Sequence, residues 1–580
     1  MTKNELKKIV DLAVKNLNLG DFNSAEFIVE IPSRQGVGDY FTNAPHVIAG
    51  KFNPNKSTTE NDIKRAVSIF KPELEKLLDP EIVKIEDIGG FINFRLADKV
   101  FIDNLKNIDK NYGKGKELKG KKVIIDYTDP NPFKEFHIGH LMSNAIGESL
   151  SRIFEFQGAK VKRVCYQGDV GMHVAKAIWG KIKDGKKTWG QAYAFGAQAY
   201  EEDEKAKKEI TGINKKIYDR SDKKINKLYD TGKKDSLKYF DKIYKKLDTR
   251  FDYFVFESQT GEIGKKIVEK WLVDGIFEKG LPAQAGENAP IIFKGEKYGL
   301  HTRVFINSEG LPTYEAKDLG LAEIKYKKYK YDQSFVVTGN EINEYFKVML
   351  CALDKINPEL AKKTRHIGHG MLRLPEGKMS SRTGKVITAE SLIEKVEELI
   401  NQKIKDRELS KKEKQEITEK VAIGAIKYYI LKQSIGSDII YDFDKSVSFE
   451  GDSGPYLQYS CTRAESVLRK AKKEGVRASF SPFGRSPAGG KKVLPEISEL
   501  EKKIIYFPEI VSKAQKSCQP HYISLYLTEL AAIFNAYYVK NKIVDKKDIN
   551  SPYRTALTAA FAQIMKNGLW LLGINTLERM

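Results

Sequence analysis

The stretch "KVIIDYTDPNPFKEFHIGHLMSNAIGESLSRIFEFQGAKVKRVCYQGD", residues 122–169, does most to limit what this chain can fold into. "KVIIDYTDPNP" is an apolar run with a polar end, the pattern of a strand buried on both faces. "GHLMSNAIGESLSRIFEFQGA" spaces its apolar residues as a helix and stops at Gly158. "KVKRVCYQGD" reads as a second strand. Strand, helix and strand in this order require a crossover, and hence a parallel sheet with helices on its faces. His137-Ile138-Gly139-His140 opens the helix at the carboxyl end of the first strand, where open α/β sheets bind ligands.

His137 and His140 share one helical face, and a helix N-terminus attracts anions. Imidazoles there can donate to a phosphate, and Gly139 leaves room for a nucleotide against the backbone. Two ordinary polar histidines at a helix cap would give the same string, and the place after a buried strand is what favours the phosphate. A second piece, "GKMSSRTG" (Gly377 to Gly384), is basic, glycine-bounded and rich in hydroxyls. Lys378 and Arg382 can neutralise a triphosphate while Ser380 and Ser381 donate to it. Alone, it also fits a solvated basic turn.

A chain of 580 residues is too long for one core and suggests about three or four domains. Residues 1–115 read as a small α+β domain: an amphipathic helix opens it, and "AEFIVEIP" and "GGFINFRLA" alternate like strands. "GKGKELKGKK" is a basic linker. Residues 116–388 hold the parallel sheet, with a Lys-rich helical insertion at about 180–285 between its two halves. Strands resume in "IIFKGE", "RVFINSEGLPTYEAKDLG" and "QSFVVTGNEI". Residues 389–580 have the apolar spacing of a helical bundle. "SFSPFGRSPAGGKK" (479–492) interrupts it and is expected to be mobile.

Net charge is +21, which draws the chain to polyanions: nucleic acid first, anionic lipid second. A Lys-rich composition without a specific partner is the bland alternative. Cys165, Cys351, Cys461 and Cys518 lie far apart, with no C-x-x-C spacing. That argues against a disulfide framework and structural zinc, and fits a reducing cytoplasm. The first twenty residues lack a signal peptide's compact apolar core. The most apolar stretch, 522–539, carries Glu529 and Asn535 and reads as a bundle helix, not a membrane span.

Together, the two motifs, the insertion and the bundle resemble a class I aminoacyl-tRNA synthetase. "DPNPFKEFHIGH" followed by "GDVG" resembles the arginyl-tRNA synthetase version, and "LPTYEAKDLGLAEIKY" resembles that family's Tyr-(three)-Asp helix. "YLQYSCTR" and "GLWLLGINTLERM" resemble its anticodon-binding bundle, and "GDYFTNAPHVIAGKF" and "GGFINFRL" its extra N-terminal domain. The resemblance spans essentially the whole chain. It implies a Rossmann-like α/β catalytic domain, an α+β N-terminal domain and an all-α C-terminal bundle. It also implies a cytoplasmic monomeric arginine–tRNA ligase using ATP, with Mg²⁺, to charge tRNA(Arg) with L-arginine. In that family adenylate formation typically needs bound tRNA.

The resemblance also assigns roles. His137 and His140 would hold ATP and stabilise the reacting phosphorus, with Gly139 packed on the nucleoside. Lys134 and Lys378 would lie near the phosphates, and Met379, Ser380, Ser381 and Arg382 would complete the ATP loop. Asp126 and Asp318 would accept the guanidinium, since a planar fork of donors pairs best with a planar carboxylate. Tyr314, one turn before Asp318, and Asn131 would touch the amino acid. Phe91 and Asn93 would face the D-loop side of the tRNA. Tyr456, Gln458, Tyr459 and Arg463 would meet the anticodon.

Three departures stand out. Ser381 replaces the second lysine of the usual loop, leaving Lys134 and Arg382 to supply charge. Asp126 stands where glutamate is common. Ile342 stands where many relatives have glutamine; either Asn343 substitutes or that contact is absent. The rivals are another class I synthetase, such as a cysteine or glutamine enzyme, a non-catalytic tRNA-binding relative of the same fold, and a small nucleotidyltransferase, which needs no basic bundle.

Overall fold

The computed structural model describes residues 1–20, 22–32, 36–52, 54, 57–282, 288–374, 387–480 and 496–580. Contacts divide the chain into two compact units: residues 1–113 with 463–509 and 530–564, and residues 114–462 with 510–529 and 565–580. The stretch expected as one C-terminal module, 389–580, is thus shared between them. Its loop at 479–492 lies almost wholly outside the described residues.

In the first unit, helix α1 (Lys3–Asn16) starts in a capping box between Thr2 and Glu5. Strands β1 (Val29–Glu30) and β2 (Tyr40–Thr42), helices α2 (Ala44–Phe52) and α3 (Glu60–Leu77), strands β3 (Val83–Ile88) and β4 (Phe91–Leu96), and helix α4 (Asp98–Leu105) follow. The sheet is antiparallel, in the order β1-β2-β4-β3. Gly89 and Gly90, with φ of 63° and 82°, make the tight β3–β4 turn, where left-handed backbone favours glycine. Asp39 accepts Lys502 at 2.9 Å and the Tyr40 hydroxyl donates to Glu509 at 2.5 Å, joining this domain to bundle residues of the same unit.

The second unit opens with β5 (Lys122–Tyr127), α5 (Ile138–Phe156) and β6 (Lys160–Gln167), the βαβ read from the sequence. Helices α6 (Met172–Lys183), α7 (Trp189–Glu202), α8 (Glu204–Asp219) and α9 (Lys223–Lys246) precede β7 (Tyr253–Phe256) and α10 (Glu257–Val273). Strands β8 (Glu278–Lys279), β9 (Ile291–Phe293) and β10 (Arg303–Ile306) lead to α11 (Tyr314–Lys328). Then come β11 (Gln333–Gly339), α12 (Asn343–Ile356), α13 (Pro358–Lys363) and β12 (Thr364–His369). The main sheet is parallel throughout, in the order β12-β11-β5-β6-β7. Strand order reverses between β5 and β11, which opens a crevice at the carboxyl end of β5.

Two expectations are corrected. The span expected as an insertion, about 180–285, contains β7, a strand of the main sheet paired with β6. The helical insertion is the α6–α9 segment alone. "YFVF" is only four residues long in lysine-rich surroundings, too short for a hydropathy pattern to stand out. The strands at 291–293 and 303–306 do not continue the parallel sheet either; with β8 they form a separate antiparallel one.

One buried carboxylate fastens the βαβ unit. Glu148 of α5 accepts the Tyr127 hydroxyl of β5 at 2.6 Å, Arg152 Nε at 2.7 Å and Arg163 Nε of β6 at 3.0 Å. Arg152 continues to the Trp570 carbonyl at 3.1 Å, and Arg163 to Glu155 at 2.6 Å. Gly147 lets α5 approach so closely that a β-carbon there would sit 2.2 Å from the Tyr127 ring. Burial raises the Glu148 pKa, but Arg163 and Arg152 outweigh it and hold the carboxyl below its usual value. That stability is present above the ordinary carboxylate range and is lost as pH falls through the depressed pKa. Glu148→Ala removes the buried carboxylate that Arg152 and Arg163 share, leaving them only Asp248 and Glu155, and is expected to cost about 3–5 kcal/mol. A clear drop in the thermal or urea midpoint of this unit is the expected reading; an unchanged midpoint would contradict the clamp.

Candidate active site

The turn after β5 is held in conformations most side chains avoid. Thr128, Asp129 and Phe133 have φ of 80°, 46° and 70°; such backbone persists only when its surroundings over-determine it. Thr128 N–H donates to Ser143 Oγ at 2.9 Å, and that hydroxyl donates on to Val337 O of β11 at 2.8 Å. Asp129 Oδ1 accepts Tyr166 N–H of β6 at 2.8 Å, and Asn131 Oδ1 accepts Gly168 N–H at 3.1 Å. The turn is therefore tied to the ends of both neighbouring strands.

His137 is the N-cap of α5. Its Nδ1 accepts Gly139 N–H at 3.1 Å, and His140 Nδ1 accepts His137 N–H at 3.2 Å. The rings stack with centroids 3.6 Å apart, 19° from parallel. Burial, and then the Lys134 charge, pushes His137 down to about 4. Burial, His137 and Lys134 hold His140 well below its ordinary range. Both rings are therefore neutral near pH 7. With Nδ1 engaged as acceptor, each carries its proton on Nε2, so the helix start presents two N–H donors. Lys134 is half-buried, its ammonium 4.8 Å from the Tyr193 ring centroid, and burial lowers its pKa.

Lys378, Met379, Ser380, Ser381 and Arg382 lie outside the described residues. Ile387 lies directly against the histidine segment. Ile138 N–H donates to Ile387 O at 3.3 Å, and Ala389 N–H donates to Phe136 O at 2.8 Å.

Deeper in the crevice lies a cluster of carboxylates. Asp126 is fully buried and paired with Lys325 at 2.9 Å. Glu257, at the head of α10, pairs with Lys317 of α11 at 2.6 Å, both buried. Asp318 accepts the Tyr345 hydroxyl at 2.5 Å, and Asp129 accepts only a backbone amide. Among the described residues neither Asp318 nor Asp129 forms an ion pair, although the Lys325 charge acts on both. Burial, with Glu257 and Asp126 nearby, pushes Asp318 up to about 7 despite the Tyr345 bond and Lys325. Burial and Asp126 raise Asp129 well above its usual value. Two acids are neutralised internally and two are not, so the pocket is short of positive charge.

Asp126 and Glu257 are thus already paired, with Lys325 and Lys317, whereas Asp318 is held by the Tyr345 hydroxyl. Tyr314 is 60% exposed at the first turn of α11, one turn before Asp318, with the Lys317 ammonium 5.2 Å from its ring. Asn131 lies beside Glu257, since a β-carbon at Gly168 would meet both side chains within 3 Å. Ile342 packs on the apolar core, whereas Asn343 Oδ1 lies against Gly368 of β12. The sequence reading missed Glu257, Lys317, Lys325 and Tyr345. Lys317 and Lys325 are two of four lysines on α11, and nothing in the local pattern marks these two as the buried ones.

The expected RNA contacts are unevenly placed. Phe91 is 36% exposed and packs beside Phe41 and His46. Asn93 is buried, its amide donating to Phe91 O. Gln458 is fully buried and donates to the carbonyls of Lys420 and Asn575, a framework bond rather than a surface contact. Tyr456 and Tyr459 are half-buried, with Arg407 6.0 Å from the Tyr459 ring. Arg463 donates to Asn535 at 2.7 Å and lies over Tyr538. Among the described residues no three metal-ligating side chains converge, and no helix is long and apolar enough to cross a membrane.

Comparison with known proteins places this geometry in a family. Residues 102–443 match the model of the class I tRNA synthetase (R) catalytic domain, and residues 457–580 that of the DALR anticodon-binding domain. The arginine–tRNA ligase of Borreliella burgdorferi is 30% identical over 100% of this chain and 99% of its own. That of Clostridium acetobutylicum is 30% identical over 99% of this chain and 100% of its own. The solved arginyl-tRNA synthetases of Thermus thermophilus and Plasmodium falciparum share the fold, with TM-scores of 0.74 and 0.76 at 21% identity. They cover 100% of this chain and 100% and 99% of their own. Matching domains and full-length relatives agree, and the chain belongs to the arginyl-tRNA synthetase family.

Proposed function

We propose that the chain is an arginine–tRNA ligase: with ATP it activates L-arginine and transfers it to the 3′-terminal ribose of tRNA(Arg). The observation that carries this reading is the charge shortfall in the crevice, two carboxylates that form no ion pair among the described residues beside a helix start carrying two imidazole N–H donors. A guanidinium offers Asp318 a planar fork that an ammonium cannot. Asn131 and Tyr314 would fix the remainder of the amino acid.

The arginine carboxylate attacks the α-phosphorus of ATP, the bond to the β-phosphate oxygen breaks, and pyrophosphate leaves. Charge in that transition state spreads over oxygens, so positioning and cationic stabilisation do most of the work. His137 and His140 donate from Nε2, and Lys134 supplies positive charge. The ribose hydroxyl then attacks the arginyl carbonyl and AMP departs. Mg²⁺ belongs to this proposal as the companion of ATP's phosphates. The +21 charge favours a long polyanion such as tRNA. A monomer working in the cytoplasm, with adenylate formation dependent on bound tRNA, completes the reading.

Aminoacylation assayed across the twenty amino acids should give charging with arginine alone; charging by another would overturn the specificity. Asp318 must be ionised to hold a guanidinium, and its pKa is raised to about 7. Arginine affinity should therefore rise between about pH 6 and pH 8, with proton release on binding. Calorimetry in buffers of different ionisation enthalpy reads this; a flat profile, or one retained in Asp318→Asn, would contradict it. Lys134→Ala should slow adenylation by about 10²- to 10³-fold, with little change in tRNA affinity. Equal losses in both would refute its role.

A further inference from the structure

The last helix of the α6–α9 insertion packs on the segment that leads into His137. Along α9, Tyr229, Gly232, Ser236 and Tyr239 fall on one stripe. Ser236 Oγ accepts Phe133 N–H at 2.9 Å, and the Tyr239 hydroxyl accepts Phe136 N–H at 3.3 Å. A β-carbon at Gly232 would lie 2.2 Å from the Phe133 ring, which also stacks on Tyr229 and meets Trp189 edge-on. The Tyr239 hydroxyl also donates to Glu390, in the helix that begins at Ala389. In the same stretch, Tyr229 and Lys233 bind Asp169 Oδ2 at 2.8 and 2.7 Å, just after Gly168, whose N–H is held by Asn131.

We propose that α9 is the template of the ATP site, and that Ser236 and Tyr239 are positioning residues for adenylate formation. They act through the backbone of residues 133–136. The two amides they hold flank Lys134, and the second immediately precedes His137. Phe133 sits at φ 70°, in the left-handed region that a bulky residue does not keep unaided. Ser236 fixes its amide and Gly232 makes room for its ring. Relaxation of Phe133 would move the Lys134 ammonium and the His137 cap together, and shifts of about 1 Å in a phosphoryl-transfer site are costly. Unlike Lys233, Lys234 and Lys238 of the same helix are exposed.

This inference rests on the arginine–tRNA ligase reading, so the experiment measures wild type first. The full-length chain is assayed for tRNA-dependent, arginine-dependent ATP–pyrophosphate exchange, with tRNA affinity by filter binding and folding by thermal midpoint. Wild type without arginine-dependent exchange would defeat the ligase reading itself. With wild type active, Ser236→Ala and Tyr239→Phe should each lower kcat/KM for ATP about ten- to a hundredfold. The tRNA Kd should stay within about twofold and Ser236→Thr, which keeps the acceptor, should recover most of the loss. Lys238→Ala should leave ATP kinetics unchanged. Wild-type ATP kinetics in both folded variants, a parallel loss of tRNA affinity, or no recovery in a folded Ser236→Thr would overturn the proposal. If Ser236→Ala fails to fold, Tyr239→Phe and Ser236→Thr decide it by the same readings.

Discussion

The second unit depends on one carboxylate. Glu148 lies in the middle of the helix that carries the histidines at its start, and it binds the preceding strand, the following strand and its own helix at once. An ion this deeply buried is tolerable only because two guanidiniums and a phenol satisfy it. Its consequence is positional. The Gly147 contact sets how closely α5 meets β5, and the Glu148 contacts fix α5 against β6. The α5 start therefore emerges at a defined point over the crevice, and the histidine donors inherit that definition.

At that start, electrostatics and geometry agree. A helix N-terminus already favours anions. Neutral, stacked imidazoles add directed N–H donors without the repulsion two adjacent imidazoliums would suffer. A few residues away the sign reverses, where two carboxylates form no ion pair among the described residues. Phosphate-seeking donors next to a cation-seeking pocket suit a reaction joining a nucleotide to a cationic amino acid. Buried Lys317 and Lys325 limit the acidity; without them four carboxylates would repel one another in one cavity.

Much of this was legible in the sequence. "KVIIDYT", the His137–His140 motif and "KVKRVCYQ" mark the strand, turn and strand because buried parallel strands are near-continuous apolar runs. The Tyr314–Asp318 spacing marks a helical face. What was hidden depends on three-dimensional pairing. Asp126 looked like an open acceptor because no local pattern shows Lys325 arriving from 199 residues away. The resemblance set Gln458 at the anticodon, and its burial was hidden because a polar residue in an amphipathic helix can serve buried carbonyls equally well. β7 was lost because a four-residue strand carries too few alternations to outweigh its lysine-rich neighbours.

The segment from Phe133 to Gly139 is built into the fold before any substrate arrives. Hydrogen exchange of the free, full-length chain tests it directly at the amides of Phe133, Phe136, Ile138 and Gly139, each of which has an acceptor in the fold. Protection comparable to that of the β5 amides is the predicted result. Exchange at the rate of a solvated loop, with protection appearing only when ATP or tRNA is added, would contradict it.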